Sequence, residues 1–239
     1  MITKARISVL VAAFFISLFS LSAVSEAAQT MKNALDDKQR AMVAISALSG
    51  AGELPKLETA LSQGLDAGLT VNEIKEILVQ VYAYAGFPRS LNAITVFKTV
   101  LNGRKAKGVN DPEGKAPSPL PADRTSLEFG TENQTRLVGQ PVGGGIYEFV
   151  PAIDQFLKAH LFGDIFQRDN LDWKHRELAT IGILAAIPGV NPQLQGHLAI
   201  GMRNGLSPEQ LRAAAVVVGE TLGKQFGDNM AQCIDAVVK

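Results

Sequence analysis

The chain has 239 residues, 46% of them hydrophobic, with 23 basic and 23 acidic side chains and one cysteine. Balanced charge without a basic stripe excludes the electrostatic footprint of a nucleic-acid-binding surface. A lone cysteine excludes an intramolecular disulfide, so the core must rest on hydrophobic burial.

Residues 1–28 read as a secretory signal peptide. Lys4 and Arg6 precede an apolar run from Ile7 to about Leu21, and Ser25-Glu26-Ala27 offers small residues at a cleavage site. The run is short for a bilayer span, and no cysteine follows it to carry a lipid. The expectation is therefore a cleaved, exported protein, periplasmic or secreted, with no stable membrane insertion afterwards. About 210 residues remain, enough for one large domain or two small intertwined ones.

Residues 29–102 read as a helical unit. Asp36 or Asp37 can cap a helix running to about Ser49. Thr70-x-x-Glu73 is a capping box opening onto Ile74, Ile77, Leu78, Val81 and Ala85, a stripe of helical period, and Gly68 precedes it where an earlier helix would end. Residues 103–145 change character, with Pro112, Pro117, Pro119, Pro121 and Gly143-Gly144-Gly145, and little apolar period. They read as a Pro/Gly-rich crossover arm without a folded element. Residues 146–239 return to helix. An extra helix from Ile146 to Phe166 is expected first. Asp172 then caps a helix to about Ile187, and Ser207-Pro208-Glu209-Gln210 opens onto Leu211, Ala214, Ala215, Val218 and Leu222 after Gly205. Alternating β-branched runs are missing, so the fold class is all-α.

The two helical units repeat one another about 137 residues apart. Leu35 to Val100 can be laid over Leu171 to Val237 with one single-residue gap, matching Gly52, Pro55, Leu57, Leu61, Gly64, Gly68 and Leu69 to Gly189, Pro192, Leu194, Leu198, Gly201, Gly205 and Leu206. Two positions break the match. Ala41 faces Glu177, and Ala60 faces His197.

Glu177 and His197 each fall on an apolar stripe of neighbouring helices, so they can form an acid/base pair in which the carboxylate orients the imidazole. A buried hydrogen bond that merely satisfies both groups is the competing reading. The alanines at Ala41 and Ala60 favour function, because the same packing forms without the pair. His160 could line the same pocket or be a packing residue. His175, third in its helix, is expected at the surface. Gln80 and Tyr84 end one helix at Gly86 and Pro88; they are either packed terminus residues or donors into a pocket shared with another copy. Arg40 and Arg176 occupy equivalent places, and either could meet a substrate carboxylate or sit in a helix salt bridge. No histidine pair has the spacing of a helical metal site, so no metal is expected. Cys233 reads as an ordinary buried thiol.

At these residues the chain resembles the carboxymuconolactone decarboxylase family, which shares the all-helical fold of the alkylhydroperoxidase D proteins. Leu69-Thr70-x-x-Glu73-Ile74 followed by Gln80-x-x-x-Tyr84-x-Gly86-x-Pro88 looks like the family's characteristic helix. Phe162-Gly163-Asp164-Ile165-Phe166-x-Arg168, then Leu171 and Arg176-Glu177-Leu178-Ala179, looks like the start of the second domain in two-copy members. The resemblance implies a duplicated helical fold and assembly as a homo-oligomer, trimeric or hexameric. The family's peroxidase branch carries Cys-x-x-Cys-x-x-x-His. Here His197 fills the histidine place, but Val190 and Gln193 stand at the cysteines, and Glu53, Lys56 and Ala60 occupy the same places in the first copy. Without two thiols a disulfide cycle has no carrier, which disfavours a peroxidase-type antioxidant.

The decarboxylase branch needs no cofactor. By that resemblance His197 is the general acid or oxyanion donor, Glu177 sets its tautomer, and His160 helps to bind substrate; Gln80, Tyr84 and Arg176 are candidate substrate contacts by their positions alone. The expected activity is a lyase or isomerase reaction on a small carboxylated lactone or related acid. A non-catalytic periplasmic small-molecule binding protein is the alternative.

Overall fold

The computed structural model describes residues 34–238, and its regular structure is helical throughout, with no strand among the described residues. The signal-peptide reading of residues 1–28 falls outside them. The duplicated, all-helical expectation holds.

In the first unit, α1 (Asp37–Ala51) is capped by Asp36, whose carboxylate accepts from Gln39 N at 2.8 Å while the Gln39 side chain returns to Asp36 N at 3.2 Å. This reciprocal box satisfies two backbone donors that a helix start leaves orphaned. α2 spans Leu54–Asp66, and α3 spans Val71–Ala106 behind the Thr70/Glu73 box. α3 is bent at Gly86, whose φ of 82° and ψ of 164° no helix contains. A side chain there would be strained, and Pro88 supplies no N–H to bridge the break. The second unit repeats this order as α7 (Trp173–Ala185), α8 (Asn191–Arg203), α9 (Pro208–Leu222) and α10 (Lys224–Val237). Gly223, at φ 117° and ψ 151°, makes the same bend between α9 and α10 that Gly86 makes within α3.

The units share one core. Leu57, Ile74, Leu78 and Val81 from the first and Leu178, Ile181, Leu198 and Val218 from the second belong to the same buried cluster. At its centre α1 and α7 run side by side in the same direction. Matched positions meet along them, Gln39 against His175 and Ser46 against Gly182, so a pseudo-two-fold axis passes between these helices. A Cβ on Gly182 would lie 3.0 Å from the Ser46 Cβ and 3.1 Å from the Val43 carbonyl oxygen, which is why the helices approach so closely there.

The arm corrects one expectation. Residues 103–145 contain a folded element, α4 (Ser126–Val138), started by a Thr125/Glu128 capping box and ended at Gly139. Its apolar stripe is thin, essentially Phe129 and Leu137, because Asn133 and Gln134 are also buried; the Asn133 amide donates to the Phe162 carbonyl and to Gln167. Before α4 the arm first continues α3 to Ala106 and then carries no regular structure over 109–121. The Pro112 and Glu113 carbonyls accept from Val71 and Asn72 N, closing the first turn of α3.

The segment expected as one helix from Ile146 to Phe166 is instead α5 (Ile146–Phe149), α6 (Pro151–Phe156) and a π-helix from Leu157 to Ile165. α4 and the π-helix form a second apolar cluster of Leu137, Leu161, Phe162, Ile165 and Phe166. It lies over Ala83 and Tyr84 of α3, Trp173 of α7 and Ile200 of α8.

Candidate functional site

α7 presents Glu177 and α8 presents His197, and the packing of those helices brings His197 Nδ1 to 2.7 Å from Glu177 Oε2. The carboxylate is wholly buried and the imidazole side chain is 13% exposed. With Nδ1 engaged by Glu177, Nε2 is the nitrogen left to act on another molecule. It accepts a proton in the neutral ring and donates one in the imidazolium.

The first unit closes the other side. The Tyr84 ring, at the end of the α3 turn before Gly86, meets the His197 ring edge-on, with centroids 5.1 Å apart and planes at 88°. The Tyr84 hydroxyl and Glu177 Oε1 are buried and make no hydrogen bond of good geometry, although the Thr180 side chain lies beside the hydroxyl. Burial first, and then the Glu177 charge, pushes the Tyr84 phenol well above its ordinary pKa, so it stays protonated and able to donate. Leaving such an atom unpaired costs about 1–3 kcal/mol. Two of them close to one imidazole leave hydrogen-bonding capacity unused in the interior.

Behind this group lies a polar layer that is paired except at Arg176 Nε and Asn170 Oδ1. Gln80 donates to Thr180 Oγ1 at 2.9 Å and accepts from Arg176 at 3.0 Å. Arg176 also donates to Glu76 at 3.0 Å and to the Arg168 carbonyl at 2.9 Å, and Glu76 takes a two-pronged contact from Arg168 and a bond from Asn170. Arg176 is 0% exposed. Burial pulls its guanidinium pKa down, and the Glu76 charge opposes that.

Of the six residues singled out from sequence, the structure brings Glu177, His197 and Tyr84 into one group. Gln80 and Arg176 stand one layer behind, holding the two units together and supporting α7. In this arrangement Arg176 is committed to protein partners and does not face a ligand. His160 is apart from the group, exposed on the π-helix. Its Nδ1 lies 2.9 Å from Asp164, its ring edges against Tyr82 at 5.5 Å, and it lines a cavity of about 180 Å³ with Ile153 and Phe156.

His175, expected at the surface, is half-buried; it pairs with its own cap Asp172 at 2.9 Å and reaches Gln39 across the axis. Cys233 is buried, as expected, and burial pushes its thiol pKa up. Glu76 and Thr180 were missed, although the signal was present. Glu76, Gln80 and Tyr84 recur every fourth residue on one face of α3, and Arg176 and Thr180 share the same spacing on α7.

Among the described residues no three His, Cys, Asp or Glu side chains are placed to hold a metal ion, and no helix is long and apolar enough to cross a membrane. Residues 20–99 and 151–225 match the model of the carboxymuconolactone decarboxylase family, a pair of matches that spans both helical units and leaves out the arm. No curated protein matches the chain.

Proposed function

From the premise that this chain belongs to the carboxymuconolactone decarboxylase family, we propose that it is an exported, cofactor-free lyase or isomerase. It acts on a small carboxylated lactone or related acid through acid–base chemistry at His197. The observation that carries this reading is the 2.7 Å contact from Glu177 to His197 Nδ1, which leaves Nε2 unengaged by the carboxylate on an imidazole that keeps 13% of its side-chain surface exposed.

In a decarboxylation the bond from the ring carbon to the carboxylate breaks, carbon dioxide leaves, and the electron pair stays on the conjugated lactone. The His197 imidazolium then gives its Nε2 proton to carbon and takes another from solvent. Glu177 fixes the tautomer and stabilises the imidazolium, and the Tyr84 hydroxyl donates toward the oxygen that gathers charge. An isomerisation uses the same groups, with Nε2 first removing and then returning the proton. The apolar cluster over Tyr84 and Ile200 keeps water from part of this site, which strengthens each of these interactions. Assembly as a homo-oligomer, trimeric or hexameric, accompanies this proposal.

The test is carbon dioxide release and ultraviolet loss of lactone over a panel of γ-carboxylated lactones, with a bell-shaped pH profile expected. His197→Ala should lower kcat/KM about a thousandfold while the far-ultraviolet spectrum and Tm stay near wild type. Turnover unchanged by that substitution would overturn the assignment. Saturable binding of these acids with no turnover would move the protein to the binding-protein class.

A further inference from the structure

The second unit carries an open groove where the first is covered. α9 and α10 come together at Gly219 and Gly227. A Cβ on Gly227 would lie 2.9 Å from the Gly219 Cα and 2.8 Å from the Ala215 carbonyl oxygen. Along this approach opens a cavity of about 470 Å³, whose apolar wall is Ala215, Val216, Gly219, Gly227 and Ala231. The charged side chains at its edge have partners on this chain. Arg212 donates to Asp235 at 2.8 Å, Lys224 to Asp228 at 2.7 Å, and Glu220 accepts from Arg40 at 3.2 Å. What the groove offers an occupant is therefore apolar surface.

The first unit shows what covers such a surface. Val79, Tyr82 and Ala83, the counterparts of Val216, Gly219 and Glu220, lie under the apolar cluster of α4 and the π-helix. Val216 stays 43% exposed. The arm also holds a segment that nothing covers. α5 and α6 pack on each other and on the π-helix, and none of their residues is buried. Ile146, Phe149, Val150, Ile153 and Phe156 all stand in solvent, Phe149 at 87% and Phe156 at 62% exposure. So many large apolar side chains on one short exposed segment mark an interaction site.

We propose that residues 146–156 of one copy dock into the α9/α10 groove of a second copy. Phe149 and Phe156 fill the space that alanine and glycine leave open, a helix face laid into an apolar groove. The groove's ion pairs stay formed, so no charge is stripped of its partner. The contact joins unlike surfaces, and each copy has one of each, so it repeats around a ring until the last copy meets the first. The surface is independent of the chemistry at His197.

Light scattering after gel filtration at about 10 μM protein should give the mass of two or more copies. Phe149→Asp and Val216→Asp, both at exposed positions, should each weaken association at least about thirtyfold with the far-ultraviolet spectrum unchanged. A Phe149→Cys protein mixed with a Val216→Cys protein should be joined by a short bis-maleimide, and neither should be joined to itself, since Cys233 is buried. A single-copy mass, an assembly indifferent to both aspartates, or cross-linking within either protein alone would each overturn the proposal. So would binding to phosphatidylcholine vesicles that Phe149→Asp abolishes, which would assign the segment to a lipid surface. Turnover is not read in any of these arms, so their failure leaves the reading of His197 untouched.

Discussion

The two flanks of the pseudo-two-fold axis are the same helical arrangement put to different ends. One flank holds Glu177, His197, Gln80 and Tyr84, roofed by α4 and the π-helix. The other holds Ala41, Ala60, Val217 and Thr221 around an open cavity. Both flanks pack, so the polar residues are not required by the helix geometry. Their presence leaves a buried carboxylate oxygen and a buried hydroxyl unpaired, a destabilising arrangement that the alanine-lined flank avoids. The comparison teaches that backbone architecture and site chemistry separate cleanly here. A pair of helices sets the frame, and a few side chains per flank decide what it can do.

The sharpest break in this comparison comes from the matched arginines. Arg176→Met would strand the buried Glu76 carboxylate with Arg168 and Asn170 only and should cost about 3–5 kcal/mol in urea unfolding. Arg40→Met, at the equivalent place but on a part-exposed side chain that meets an exposed carboxylate among its contacts, should cost clearly less. Equal costs would mean that the two flanks are not energetically distinct.

Next in size is Glu177→Gln, which keeps the shape of the pair but removes the charge that stabilises the imidazolium. It should lower kcat/KM about a hundredfold and flatten the pH profile. Ala41→Glu, its mirror on the other flank, should change turnover by less than about twofold, because no imidazole stands opposite.

Tyr84→Phe is expected to leave stability unchanged within about 0.5 kcal/mol, since the Thr180 hydroxyl beside it is already engaged by Gln80 and the Arg176 carbonyl, while turnover falls. A loss of stability in thermal unfolding would show that the hydroxyl is bonded in solution.

The smallest effect separates the two capping boxes. In the first unit the box ends in Glu73, which titrates, and in the second it ends in Gln210, which does not. Burial raises the Glu73 pKa, but the Thr70 N–H and the Lys38 side chain outweigh it, so the folded value lies below the usual range. A depressed carboxylate contributes stability above its ordinary pKa, near 4.3, that is lost as pH falls through the folded value. Glu73→Gln should remove about 0.5 kcal/mol of pH dependence on the acid limb. Urea midpoints between about pH 3 and pH 6 read it.

Much of the frame was legible because its signals are local. The capping boxes at Thr70 and Ser207, the cap at Asp172 and the glycines before them announce where helices start and stop. The repeat itself revealed the Glu177–His197 pair, by showing alanine at both places in the other copy. α4 was not legible. Its box at Thr125 is as clear as the others, but the stripe behind it has few apolar residues, since its buried face uses Asn133 and Gln134 against the π-helix. His160 looked like a pocket residue beside an apolar run, and the π-helical turn places it on the outer face beside Asp164.

Residue pattern by itself determined the helices of the two repeated units, their duplication and the family, because periodicity, caps and glycine breaks act over a few residues at a time. Only the tertiary structure decided that Tyr84 of the first unit closes on His197 of the second, that Arg176 is bound by Glu76 and Gln80, and that Ala41, Ala60, Val217 and Thr221 come together around a cavity. Those outcomes depend on contacts across the axis between residues on the order of 100 positions apart, and no local signal encodes which faces will meet.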